Sequence, residues 1–309
     1  MNKNLHNART KRNDEFYTQY KDIKQEVDHY SKYLFGKTIY MNCDKPFESE
    51  FITYFVDNFS SFGIGKLIAT YYNPNGVSEK WEYENSDWTS TKLEGNGDFR
   101  SDECVSILQE ADVIITNPPF SLFRDFIDLM FQHNKEFLVI GNNNAISYKD
   151  IFTLLKENKV WLGYSSNKHF EFKVPKDAEN YQRIDDEGNK YDKGTAVSWF
   201  TNLGLQETHE ELNLEEIYKG NEDKYPKYDN YNAINVDRVK QIPIDYKGYM
   251  GVPITFMSKY NPKQFEILGI MNTGEANEGI RLPNTRHGRP LVNGKEKYIR
   301  ILIKNKKPI

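Results

Sequence analysis

Apolar positions first recur at helical spacing near the N-terminus, where Phe16, Tyr20, Ile23, Val27 and Tyr30 predict a helix over 15–33. A short strand, Thr-Ile-Tyr-Met-Asn at 38–42, follows. Asp44 and Pro46 then stand where a capping residue and a first-turn proline belong. The helix they open carries Phe47, Phe51, Tyr54, Phe55 and Phe59 on one face. Gly63 and Gly65 close it, and 66–72 reads as the next strand. The polar, Trp-containing segment 73–97 reads as a hairpin or insertion. A helix at 102–110, a buried strand at 111–117, a helix at 121–131, a strand at 137–141 and a helix at 148–157 continue the alternation. Strands alternating with helices predict an α/β fold with a doubly wound, mostly parallel sheet.

The rhythm changes after residue 160. Segments 160–164, 170–174 and 196–201 read as strands around a polar loop, which predicts an antiparallel pair at the end of the sheet. Beyond 202 the text turns Tyr- and Pro-rich, as in Lys224-Tyr-Pro-Lys-Tyr-Asp-Asn-Tyr-Asn232, where the tyrosines are expected to pack. Strands are predicted there at 251–257, 265–269 and 297–303. The break places a domain boundary near 203, giving units 1–202 and 203–309, the second smaller and mixed.

Composition narrows the class. At 309 residues, 38% hydrophobic and 28% charged, the chain reads as a soluble globular protein of one large or two modest domains. A net charge of −4 excludes a polybasic coating, so an anionic partner must meet a local basic face. Such faces exist near the N-terminus (Lys3, Arg9, Lys11, Arg12) and the C-terminus (Arg281, Arg286, Arg289, Lys295, Lys297, Arg300, Lys304, Lys306, Lys307). Two cysteines imply no disulfide framework and suit a reducing cytoplasm. No histidine has zinc spacing with a cysteine, so no metal is expected. No signal peptide or membrane span is read, and no membrane partner is expected. The bias toward Asn, Lys, Ile and Tyr fits AT-rich coding.

The most informative stretch is Ala-Asp-Val-Ile-Ile-Thr-Asn-Pro-Pro-Phe at 111–120. Proline cannot donate to a sheet ladder, so the strand stops at Asn117, and a residue before proline is held extended. Asn117 therefore sits at the carboxyl edge of the sheet, where open α/β sheets place their ligands. Asn117, Pro118, Pro119 and Phe120 together offer a side-chain amide, a carbonyl without a competing N–H, and a ring. Those groups can hold a planar amine through two acceptors and a stacking face.

Five elements in order carry a resemblance: Asp14-Glu-Phe-Tyr17-Thr18, Asn42-Cys43-Asp44-x-Pro46-x-x-Ser49-x-Phe51, Gly97-Asp98-Phe99-Arg100, Asn117-Pro-Pro-Phe120 and Met250-Gly-Val-Pro-Ile-Thr-Phe256. In this order the chain, from about residue 12 to its end, resembles the EcoRI-type adenine-specific DNA methyltransferases. The resemblance implies S-adenosylmethionine as cofactor, double-stranded DNA as partner, and a bacterial or phage origin. It makes 1–202 the catalytic domain and 203–309 the target-recognition domain. A restriction endonuclease sharing the site is an optional partner, and no obligate protein partner is expected.

By the same resemblance the loop after the first strand cradles the cofactor with Asn42, Cys43, Asp44 and Ser49, at a helix N-terminus suited to a carboxylate. Tyr17 and Thr18 form an N-terminal cofactor element, with an aromatic face for the sulfonium. Asp98 and Phe99 meet the cofactor's adenine. The usual Gly-x-Gly is missing from the loop, and the second strand ends in Thr70-Tyr71-Tyr72-Asn73 with no ribose-binding acid. Asn117 to Phe120 form the catalytic group. The target base must be flipped from the duplex, with a second stacking ring among Phe170, Phe172, Trp199 and Phe200. DNA contacts are expected from Lys168 and from Arg281, Arg286 and Arg289. Methylation of another planar amine, in RNA or in a protein glutamine, and a non-catalytic DNA-binding relative are the competing readings.

Overall fold

The computed structural model describes residues 18–166, 172–174, 181–192, 197–204, 210–271 and 288–309. Tyr17, Lys168, Phe170, Arg281 and Arg286 lie outside the described residues. The chain divides into two compact units, Met1–Ala145 with Leu162–Gly204, and Ile146–Trp161 with Leu205–Ile309.

The main sheet has eight strands. In chain order they are β1 (Thr38–Met41), β2 (Lys66–Ala69), β3 (Glu79–Glu84), β4 (Asp87–Lys92), β5 (Val113–Thr116), β6 (Glu136–Asn142), β7 (Trp161–Leu162) and, after the small strands β8 (Phe172–Val174), β9 (Arg183–Ile184) and β10 (Lys190–Asp192), β11 (Val197–Thr201). Their spatial order is β4-β3-β2-β1-β5-β6-β11-β7. β2, β1, β5 and β6 run parallel. All four residues of β5 are buried, as are Ile39 to Met41 and Leu67 to Ala69. Burial on both faces is why these strands read as unbroken apolar runs.

Among the described residues, the helices of eight residues or more are α1 (Tyr20–Val27), α2 (Glu50–Asp57), α3 (Asp102–Glu110), α4 (Phe123–Gln132) and α5 (Lys149–Lys156). α2 links β1 to β2 in one direction across the sheet, whereas α4 links β5 to β6 in the other. Right-handed crossovers in opposite directions place the two helices on opposite faces. The order reverses between β1 and β5, and the carboxyl ends of those strands flank the crevice where such sheets bind ligands.

The segments 160–164 and 196–201 do end the sheet: β11 pairs antiparallel with β6, residue for residue from Val197↔Asn142 to Thr201↔Leu138, and β7 is the outermost strand. Two expectations are corrected. Phe172–Val174 joins a separate three-stranded sheet, β8-β10-β9, because its ladder is completed by Lys190–Asp192 rather than by the main sheet. The helix after β1 begins at Glu50, with Ser49 as its cap: the Ser49 hydroxyl accepts from the Phe51 amide at 3.2 Å. Phe47 is therefore not on a helix face. It has φ +65 and is 73% exposed, edge-on to Trp81 and Trp88 of the β3–β4 hairpin.

Glu26 of α1 is fully buried and accepts from the Tyr30 hydroxyl (2.8 Å) and the amides of Tyr164 (2.9 Å) and Ser165 (2.5 Å). Burial pushes its carboxyl up, and those hydrogen bonds partly offset the rise. Gly163 makes this clamp possible, since a Cβ there would overlap the Glu26 carboxylate and lie 2.8 Å from Trp199 Cβ. Gly163→Ala is expected to lower stability by about 2–3 kcal/mol, because overpacking displaces a hydrogen-bonded buried carboxylate. Gly76→Ala, where an added Cβ meets nothing closer than 3.7 Å, serves as control. Equal melting temperatures for the two variants would refute the clamp.

The second unit holds a four-stranded sheet, β12-β13-β17-β14, formed by β12 (Ile234–Asn235), β13 (Tyr249–Pro253), β14 (Phe265–Met271) and β17 (Arg300–Asn305). A two-stranded ribbon, β15 (Leu291–Val292) and β16 (Lys295–Glu296), completes it. Tyr225, Tyr228 and Tyr231 are buried, as expected of packing residues. Among the described residues no helix is long and apolar enough to cross a membrane.

Candidate active site

Asp44 is the centre of the site. Its backbone amide donates to the Thr70 carbonyl at 3.1 Å, which ties the loop after β1 to the end of β2. One carboxylate oxygen accepts from the Ser49 hydroxyl (2.5 Å) and the other from the Thr116 hydroxyl (2.5 Å). Thr116 is the last residue of β5, directly before Asn117. A single buried carboxylate thus joins the β1 loop, the cap of α2 and the strand that carries Asn117. Burial raises its carboxyl to about 6, with the Ser49 and Thr116 hydrogen bonds working against that rise. Asp44 does not cap the helix itself; it holds the residue that does.

Asn42 is buried, and Cys43 lies beside it with its Sγ 3.8 Å from Asn42 Oδ1. Burial, with the neighbouring Asp44 charge, pushes the Cys43 thiol well above its ordinary range. At the N-terminal side, Thr18 is buried and its hydroxyl has no hydrogen-bond partner among the described residues.

Pro118 is buried, and Asn117, Pro119 and Phe120 are partly exposed. The Asn117 side-chain oxygen lies below the surface. The Pro119 carbonyl accepts from the Leu122 amide at 2.9 Å, so a tight turn over Phe120–Leu122 leads into α4. The Asn-Pro-Pro-Phe group is therefore held at both ends, by Thr116 below and by this turn above. Of the rings considered for stacking, Trp199 and Phe200 are wholly buried, packed against Phe51 (5.9 Å) and Phe123 (5.0 Å). They belong to the core.

Asp98 lies beyond the carboxyl end of β2, where Asn73 donates its amide to Asn96. Gly97 has φ +77, and a Cβ there would overlap the Tyr71 carbonyl, so only glycine lets the two segments approach. The Asp98 carboxylate takes a two-point ion pair from Arg100, through Nε (3.0 Å) and Nη2 (2.7 Å), and also accepts the Arg100 amide. These bonds hold it below the usual carboxylate range. A carboxylate has about four acceptor positions, so this pairing orients Asp98 without saturating it. Phe99 is buried against Phe126 at 5.1 Å, with Arg100 over its ring. Asn73 spends its side chain on its own loop, accepting from Asn75 and donating to Val77.

Thr116 and Arg100 are the residues that motif reading left without a role. Thr116 has a visible signal, a lone hydroxyl ending an otherwise apolar strand. Arg100 has only its place two residues after Asp98. Arg289, the one DNA candidate within the described residues, pairs with Glu296 at 3.5 Å.

Comparison with known proteins shows the family. The family model for the adenine-specific methyltransferase EcoRI matches residues 4–306. The type II methyltransferase M.EcoRI of Escherichia coli is 43% identical, over 99% of this chain and 97% of that protein. M.MgeORF184P of Mycoplasma genitalium is 43% identical over 96% and 97%, and M.MpnI of Mycoplasma pneumoniae 38% over 98% and 98%. No solved structure gives a significant match. With the family pattern running almost end to end through a sheet whose switch point carries Asn-Pro-Pro-Phe, the chain belongs to the EcoRI family of adenine-specific methyltransferases.

Proposed function

We propose that the chain transfers a methyl group from S-adenosylmethionine to the exocyclic amine of adenine within a short DNA sequence, the base being flipped out of the duplex. The observation that carries this reading is the Ser49–Asp44–Thr116 chain of hydrogen bonds. It ties the loop after β1 to the strand end bearing Asn117 at the sheet's switch point. The residues present fit the cofactor: the buried Thr18 hydroxyl, which has no hydrogen-bond partner among the described residues, is a donor for a carboxylate, and the α2 N-terminus favours negative charge. Asn42, Cys43, Asp44 and Ser49 shape the cradle. Thr18 and, outside the described residues, Tyr17 complete it, with Asp98 and Phe99 toward its adenine end. S-adenosylmethionine supplies the electrophilic methyl group.

The adenine amine is a poor nucleophile because its lone pair is delocalised into the ring. The Asn117 side-chain oxygen and the Pro118 carbonyl accept its two hydrogens and favour a tetrahedral nitrogen with a localised lone pair. Positive charge grows on that nitrogen during transfer, so fixed acceptors stabilise the transition state more than the ground state. The methylated ammonium is acidic and loses its proton without a dedicated base. Phe120 stacks on the extruded base, and unpaired or mismatched bases cost less to extrude.

The second unit is proposed to recognise the target, with Arg289 and, outside the described residues, Arg281 and Arg286 at the DNA; Lys168, also outside the described residues, is proposed as a further DNA contact from the first unit's stretch of sequence. A restriction endonuclease reading the same site is the proposed cellular counterpart.

Purified protein with labelled S-adenosylmethionine and unmodified genomic DNA should place label on adenine at one short motif, read by modification-sensitive sequencing. Label on RNA or protein instead would overturn the substrate assignment. Phe120→Ala should weaken capture of a flipped base, read from 2-aminopurine fluorescence at the target position, while leaving cofactor affinity unchanged. Equal losses in both would mark the ring as structural.

A further inference from the structure

The ribbon β15–β16 is built with more support than a surface hairpin needs. Asn293 (φ +51) and Gly294 (φ +72) form a two-residue turn with both central residues left-handed, the geometry that matches strand twist. The Asp229 carboxylate accepts the amides of both turn residues, Asn293 at 3.2 Å and Gly294 at 2.7 Å. Asn230, wholly buried, accepts from the Leu291 amide (2.9 Å) and donates to the Arg289 carbonyl (2.7 Å). The Asp229 amide donates to the Leu291 carbonyl at 2.8 Å, and the Tyr231 hydroxyl donates to the Gly288 carbonyl. Val292 roots the ribbon in a buried cluster with Tyr228, Tyr231, Met271 and Leu302. Asp229, Asn230 and Tyr231 thus act together as a cradle that fixes the ribbon by side chains and backbone.

Its outer part is exposed and polar: Asn293, Gly294, Lys295 and Glu296 are all solvent-facing. The surrounding segment 288–309 holds seven lysines and arginines against one glutamate; Arg289 pairs with Glu296, Lys297 and Arg300 with Asp237, and Lys307 with Glu211, so the positive charge at the tip itself is that of Lys295. A rigid two-stranded ribbon is one of the two elements that a DNA major groove admits. Charge of this sign suits a phosphate backbone.

Building on the assignment of DNA as substrate, we propose that the Asn293–Lys295 tip of this ribbon enters the major groove of the target duplex. The Asn293 amide reads a base edge there, and Lys295 neutralises a phosphate. An asparagine amide can pair two-point with adenine N6 and N7, whereas a lysine on phosphate carries no sequence information. The cradle gives the tip a fixed position, so its reading needs no ordering on binding.

The test uses the full-length protein. Asn293→Gly keeps the left-handed turn and removes the amide; Lys295→Ala removes the charge. On genomic DNA, Asn293→Gly is expected to relax the methylated motif at one position, losing about tenfold or more in discrimination there. Lys295→Ala should leave the motif unchanged but weaken DNA binding and lower the slope of log affinity against log salt by about one. Cofactor binding should be unchanged in both. Wild-type motif, affinity and salt slope in both variants would overturn the ribbon's role while leaving the methyltransferase reading intact. Failure of the unmutated protein to methylate DNA would sink that reading and the ribbon proposal with it.

Discussion

Asn117→Ala is expected to abolish methyl transfer while the protein still binds S-adenosylmethionine with its original affinity. On the proposed mechanism the side chain is one of two acceptors for an amine on which positive charge develops, and losing one such preorganised partner costs about 10²–10³-fold in kcat. The alanine keeps the extended backbone that Pro118 imposes. Thr116 below and the Phe120–Leu122 turn above do not depend on the amide. The loss should therefore fall on kcat rather than on folding. Single-turnover transfer on DNA carrying the cognate motif, with cofactor binding by calorimetry, separates the two. Substantial turnover in this variant would remove Asn117 from the chemistry.

Asp44→Ala is expected to have the second largest effect, on both cofactor affinity and stability. It leaves the buried hydroxyls of Ser49 and Thr116 without their acceptor, at a cost of about 1–3 kcal/mol for each unsatisfied group. It also cuts the link between the cradle and the strand end. Asp44→Asn keeps the shape and one acceptor, turns the other position into a donor, and removes the titration. The carboxyl stands at about 6 in the folded chain against an ordinary 3.8. As pH climbs between those values the unfolded chain has already ionised this group while the folded chain still holds its proton. The folded state's advantage is therefore complete at the acid end and is lost as pH rises through 6, by up to about 3 kcal/mol. Denaturant midpoints at pH 4 and pH 7.5 should show a larger fall for the unmutated protein than for Asp44→Asn. Identical pH profiles would mean that the carboxyl is not held protonated by its burial.

The parallel strands and their order of appearance were legible because burial on both faces writes itself as uninterrupted apolar text: Ile39 to Met41, Leu67 to Ala69, Val113 to Ile115. The helix 102–110 was legible to the residue, since Ser101 caps it and Asp102 and Glu103 suit its first turn. Asn117 could be placed at a sheet edge because proline chemistry is local. The start of α2 was misread for the same local reason. Asp44 and Pro46 form a plausible helix opening, yet tertiary bonds to Thr70 and Thr116 pull Asp44 into the site and leave the cap to Ser49. The ribbon was missed although Asn293-Gly294 is a strong short-range hairpin signal, because its flanking strands are only two residues long.

The sequence by itself determined the α/β class, the family resemblance and the position of Asn-Pro-Pro-Phe, all of which depend on spacing and backbone chemistry within a few residues. The tertiary structure alone decided which side chains work together. Thr116 and Asp44 are separated by 72 residues and Glu26 and Ser165 by 139, and no local pattern encodes such pairs. The same holds for β11, whose place between β6 and β7 rests on a ladder with residues more than fifty positions away. Partners that distant meet only when the chain closes its sheet, and buried carboxylates then take whatever donors that closure brings.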